Sequence, residues 1–131
     1  MLGIEDRMAI HELLALYGHL IDERRWDELG QVFTVDAVYD GTDFGMPVTR
    51  SLAELLAEWT SEVGLTRHPL AHHATNIVIT AREDGTALVR SKGLGVGAGG
   101  RVGSVTYVDD AVRTDAGWRL ASRTVTLRRP A

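Results

Sequence analysis

Two histidines stand side by side, His72 and His73, at the start of a run rich in β-branched residues, Thr75, Ile77, Val78, Ile79 and Thr80. Neighbours on a strand point to opposite faces, so one of the pair faces a sheet's concave interior and the other faces away. The two side chains cannot converge, and no metal site is expected from them. A buried imidazole beside a carboxylate is a general acid/base that works near neutral pH. The alternative is a histidine held by hydrogen bonds in the core. Register alone does not choose between His72 and His73 as the inward residue. His11, His19 and His68 read as surface residues, His68 because it precedes Pro69 in a loop.

Asp22 is the acid that stands out. It ends the apolar stretch Leu20-Ile21-Asp22, whereas Glu23, Asp27 and Glu28 read as surface or helix-start charges. Asp22 has two readings. It N-caps the following WDEL segment, or it faces a cavity from the end of the first helix and serves in proton transfer. Tyr17 lies on the apolar face about one and a half turns earlier, and a buried tyrosine needs a partner for its hydroxyl. Trp26, Tyr39, Trp59 and Tyr107 are core residues or the walls of an aromatic pocket. There is no P-loop, no GxGxxG fingerprint and no GxSxG nucleophile elbow. The glycines from Gly93 to Gly100 read as a hairpin tip.

These residues need a scaffold, and the pattern supplies one. Residues 4–23 carry Ile10, Leu13, Leu14, Tyr17 and Ile21 at steps of three and four, which predicts an amphipathic helix. Residues 26–33 read as a second, short helix, and Val35–Tyr39 as a strand. Gly41–Pro47 reads as a loop. A third helix is expected over 51–63, with Ser51 as N-cap, Glu54 completing a capping box and Gly64 ending it. Strands follow at 74–81, 87–95, 104–114 and 118–127, the last two joined at Asp115-Ala116-Gly117. Helices followed by an antiparallel meander give an α+β domain with helices on one face of a curved sheet.

The 131 residues fit one domain, 1–131. An apolar fraction of 44% is enough for a core at this size. The chain has no cysteine, so disulfides and thiolate chemistry are excluded. The net charge is -4, and the arginines alternate with acids, so no nucleic-acid surface is expected. No apolar run reaches the roughly 20 residues of a membrane span, and the N-terminus lacks the order of a signal peptide. A cytoplasmic location is expected.

The ordered set of short motifs resembles the SnoaL-like, scytalone-dehydratase-like proteins. Tyr17 and Ile21-Asp22 lead into Arg25-Trp26-Asp27-Glu28-Leu29 and Phe33. Asp36-Ala37 and Tyr39-Asp40 follow. Thr66, His68 and His72-His73-Ala74-Thr75-Asn76 come next. Gly103, Tyr107, Asp109, Arg113, Gly117-Trp118-Arg119 and Arg123 close the series. The resemblance implies an NTF2-like (cystatin-like) cone around a deep pocket, often a dimer or trimer. It implies an enzyme without a cofactor, a lyase or isomerase acting on a small cyclic ketone, steroid-like or polyketide-like. By position Asp22 matches the acid of the dehydratases, His72 the strand histidine and Tyr17 a pocket tyrosine. Trp26, Tyr39, Asp40, Trp59, Asn76 and Tyr107 are then expected to bind a largely apolar substrate. The alternatives are a polyketide cyclase with an Asp base alone and a binding module without chemistry. Two departures argue against scytalone dehydration itself. Ile21 stands where that enzyme has a tyrosine, and residues 87–100 hold no second histidine. Arg90 and Arg101 could be proposed for an Asp–Arg–Asp epoxide hydrolase, but no spacing supports that set.

Overall fold

The computed structural model describes residues 1–130. Helix α1 spans Ile4–Asp22 and buries Ile10, Leu13, Leu14, Tyr17 and Ile21, the stripe expected from their spacing. It ends where Arg24 turns into the left-handed region, with φ of 55°. A short 3-10 helix, Trp26–Gln31, then leads into strand β1, Phe33–Asp40. Arg25, not Asp22, is the N-cap of that 3-10 segment, and no side chain caps it. The capping reading of Asp22 is thereby corrected.

The expected helix over 51–63 is two helices. α2 spans Leu52–Thr60 and α3 spans Glu62–Arg67. Ser51 caps α2 by accepting the Glu54 N–H at 3.1 Å. Ser61 does the same for α3, accepting the Gly64 N–H at 3.0 Å. Its extended backbone, ψ of 160°, breaks the first helix. Gly64 therefore lies inside α3 instead of ending a helix. A Cβ there would sit 2.0 Å from the Glu58 carbonyl oxygen, so the α2–α3 corner closes only around glycine.

Four strands form the meander: β2 (Ala71–Ala81), β3 (Ala87–Val96), β4 (Val102–Thr114) and β5 (Gly117–Leu127). The sheet order is β1-β5-β4-β3-β2. β2 through β5 pair antiparallel, while β1 pairs parallel to β5 at the edge. β2 starts earlier than expected, so His72 and His73 are strand residues. Gly93 and Gly95 likewise lie within β3, and the tip of that hairpin is the 3-10 turn Ala98–Gly100. Helix α1 packs on β2 and β5. The core between helices and sheet is largely apolar, with Ile10, Leu14, Leu20, Phe33, Leu55 and Leu120 fully buried. No helix among the described residues is long and apolar enough to cross a membrane.

Candidate active site

Asp22 and His72 meet although 50 residues separate them. Asp22 closes α1, and His72 lies near the start of β2, which packs across that helix end. The His72 backbone N–H donates to Asp22 Oδ2 at 2.9 Å, and its ring Nδ1 pairs with Asp22 Oδ1 at 2.6 Å. One carboxylate thus fixes both the strand and the imidazole. A carboxylate accepts from Nδ1, so the neutral ring favoured by this contact is the Nδ1–H tautomer, whose Nε2 has a free lone pair. His72 lines the cavity described below. His73 does not, as strand alternation requires.

The approach of α1 to β2 depends on Gly18. A Cβ at this position would lie 2.7 Å from the His72 carbonyl oxygen. That is a clash with backbone, which cannot swing away. Gly18→Ala is expected to lower the thermal midpoint even though alanine favours a helix by about 1 kcal/mol over glycine, because overpacking costs about 1–3 kcal/mol. The imidazole should also lose its bond to Asp22, visible as a changed histidine ring signal in NMR. A higher midpoint with an unchanged ring signal would show that the contact is not tight.

The site opens into a cavity of about 770 Å³ between the sheet and α2–α3. Tyr17 and Tyr39 bond to each other through their hydroxyls at 2.9 Å. The Tyr17 ring stands edge-on to His72 (6.0 Å between centroids), Tyr107 (5.8 Å) and Trp59 (6.1 Å). Burial pushes the Tyr17, Tyr39 and Tyr107 hydroxyls well above the usual phenol range. They stay protonated at neutral pH and serve as hydrogen-bond donors.

His68 departs from its expected surface position. It lines the cavity, partly buried, with Nε2 3.3 Å from the Trp59 carbonyl oxygen. The Trp26 ring packs against it at a tilt, with centroids 5.4 Å apart. Burial lowers the His68 pKa, so this ring is neutral at pH 7.

Of the expected substrate-binding residues, Tyr39, Trp59 and Tyr107 line the cavity. Trp26, Asp40 and Asn76 do not. Trp26 stands behind His68 and Trp59. Asp40 accepts the Thr42 N–H at 3.1 Å and the Thr42 hydroxyl at 2.7 Å, which closes a surface turn. Asn76 is exposed, with φ of 54°, where the β2–β3 register shifts. Asparagine tolerates that backbone better than most residues. Arg90 is exposed on the sheet and away from the cavity, whereas Arg101 lines the mouth.

A buried ion pair supports the aromatic wall; its two residues, Asp109 and Arg123, stand in the family motif, but their spacing does not reveal the pairing. Arg123 makes two bonds to Asp109, at 2.7 and 2.8 Å. Its guanidinium carbon lies 4.2 Å from the Tyr17 ring centre and 3.8 Å from that of Tyr107. Burial alone would lower the Arg123 pKa, but the Asp109 carboxylate outweighs it and holds the group charged.

Comparison with known proteins agrees with this fold. An uncharacterised protein of Mycobacterium tuberculosis is 35% identical over 134 aligned positions, covering 94% of this chain and 86% of that one. A solved candidate aromatic ring hydroxylase from Novosphingobium aromaticivorans is 31% identical, with a TM-score of 0.81 over 99% of this chain and 94% of that one. An NTF2-like protein with a cystatin-like fold from the same organism has a TM-score of 0.82 at 24% identity, covering 98% of this chain and 85% of that one. The SnoaL-like domain profile matches residues 3–124, and with that match across nearly its whole length the chain belongs to the SnoaL-like family.

Proposed function

We propose that this protein is a cofactor-independent isomerase or dehydratase that moves a proton next to the carbonyl of a small cyclic ketone, steroid-like or polyketide-like. The observation that carries the proposal is the 2.6 Å contact of Asp22 with His72 at the wall of an aromatic cavity. His72 Nε2 takes the proton from the α-carbon. The electron pair of that C–H bond becomes a carbon–carbon double bond, and the carbonyl π pair moves to the oxygen, which gives an enolate. A phenol O–H of the Tyr17–Tyr39 pair donates to that oxygen. His72 then returns the proton, to another carbon in isomerisation or to a departing β-hydroxyl in dehydration. Asp22 lies behind His72 instead of on the cavity wall, which supports an orienting role over that of a lone base. A positioned acid/base contributes roughly 10²–10⁴-fold.

Proton exchange tests this without knowledge of the natural substrate. A panel of cyclic ketones, including 2-tetralone and 2-decalone, is incubated in D₂O with enzyme and followed by proton NMR. Wild type is expected to accelerate loss of the α-proton signals, and His72→Ala to fall to the buffer rate. If no ketone that binds exchanges faster than in buffer, the pocket is a binding site without this chemistry.

A further inference from the structure

The cavity is polar at two separate depths. At its floor stand His72 and the buried phenols of Tyr17, Tyr39 and Tyr107. At its mouth stand Arg67, at the end of α3, and Arg101, just before β4. Both arginines are exposed, and neither side chain makes a hydrogen bond or ion pair among the described residues. Glu58 is the single acid in the wall against them. The rest of the lining is largely apolar, with Ser61, Thr66 and His68 as its polar members. Four large apolar residues of that lining, Phe44, Val63, Leu70 and Val102, are exposed, Leu70 at 69% and Val63 at 60%. Exposed apolar residues gathered around one opening mark a binding site. The volume of about 770 Å³ also exceeds the needs of a two-ring ketone, since pockets of roughly 300–1,000 Å³ bury drug-sized ligands.

We infer that the substrate is an extended amphiphile that places its ketone ring at His72 and an acidic group, a carboxylate or phosphate, between Arg67 and Arg101. Guanidinium groups suit both anions because their paired N–H donors match the two oxygens. The apolar rim would cover the middle of such a molecule, and the charges would orient it ring-first. The inference rests on the proton-transfer reading for which end enters first. The anion preference itself is independent of turnover.

Two probes of one shape separate the contributions: 2-acetylnaphthalene and 6-acetyl-2-naphthoic acid, titrated into the protein by isothermal calorimetry at low salt. A phosphate monoester of 6-acetyl-2-naphthol tests the second anion. The acids are expected to bind about 3- to 30-fold more tightly than the neutral ketone, the sum of two solvent-exposed charge contacts. The advantage should shrink at 300 mM salt. It should disappear in the double variant Arg67→Gln with Arg101→Gln, whose affinity for the neutral ketone stays as in wild type. Equal binding of acid and ketone, a preference that survives in the double variant, or no binding of the acids at millimolar concentration would each overturn the inference. If the acids are preferred but no α-proton exchanges, the anion site stands and the proton-transfer proposal falls. If exchange occurs without any preference, the reverse holds.

Discussion

Asp22→Asn is expected to lower kcat by about 10²–10⁴-fold on any ketone that wild type turns over, with KM changed only a few-fold. The geometry gives the reason. Asp22 accepts two hydrogen bonds, one from the His72 backbone N–H at 2.9 Å and one at Nδ1 at 2.6 Å. The backbone N–H can only donate, so the single amide oxygen of asparagine must face it. The amide NH₂ then faces Nδ1 and donates to it. That choice moves the ring proton to Nε2, the nitrogen that should accept the substrate proton. The side chain keeps its shape and place but presents the wrong tautomer. A second readout follows from the same argument. The ¹⁵N imidazole spectrum should change from the Nδ1–H to the Nε2–H pattern in the variant. Unchanged kcat with a changed tautomer would remove His72 from the chemistry. An unchanged tautomer would show that Asp22 does not control the ring.

Much of this arrangement was legible in the sequence, and the rest failed for identifiable reasons. The stripe from Ile10 to Ile21 and the β-branched run after His73 announce their elements by period alone. Asp22 and His72 could be named from their positions, but their contact depends on how β2 crosses the end of α1, and no local pattern encodes that. His68 was misread because Pro69 beside it signals a loop. The loop is there, but its histidine turns back into the cluster formed by Trp26 and Trp59. Asp40 and Asn76 fit the family spacing, yet each serves the local backbone, one a turn and the other a shift in strand register. The helix break at Ser61 was hidden because residues 51–63 have continuous helical character, and only the second serine cap divides them. β1 reads correctly as a strand, but its parallel pairing with β5 leaves no trace in its own sequence.

The ion pair of Arg123 with Asp109 is the costliest omission, and strand phase could have exposed it. Tyr107, Asp109 and Ala111 alternate with exposed Val108, and Arg123 and Val125 share the inward phase of the next strand. Both charged residues are 1% exposed. Asp109→Ala is therefore expected to destabilise the fold by about 3–5 kcal/mol, a large share of the roughly 5–15 kcal/mol that holds a domain together. Most of that loss is the cost of leaving Arg123 charged and unpaired in the core, where its Nη1 already has no hydrogen-bond partner. The faces of Tyr17 and Tyr107 offset only part of it. The thermal midpoint should fall by about 9–25 °C, at roughly 3–5 °C per kcal/mol for a domain of this size. The paired replacement Asp109→Leu with Arg123→Met removes both charges and keeps apolar volume between the two rings. It should regain most of the loss, since exchanging a whole buried pair for apolar residues is often neutral. Circular dichroism melts of the single and double variants decide the matter. A midpoint within 3 °C of wild type for Asp109→Ala would mean that water reaches Arg123. A double variant no better than the single would mean that the bonds themselves, rather than the orphaned charge, stabilise the sheet behind the cavity.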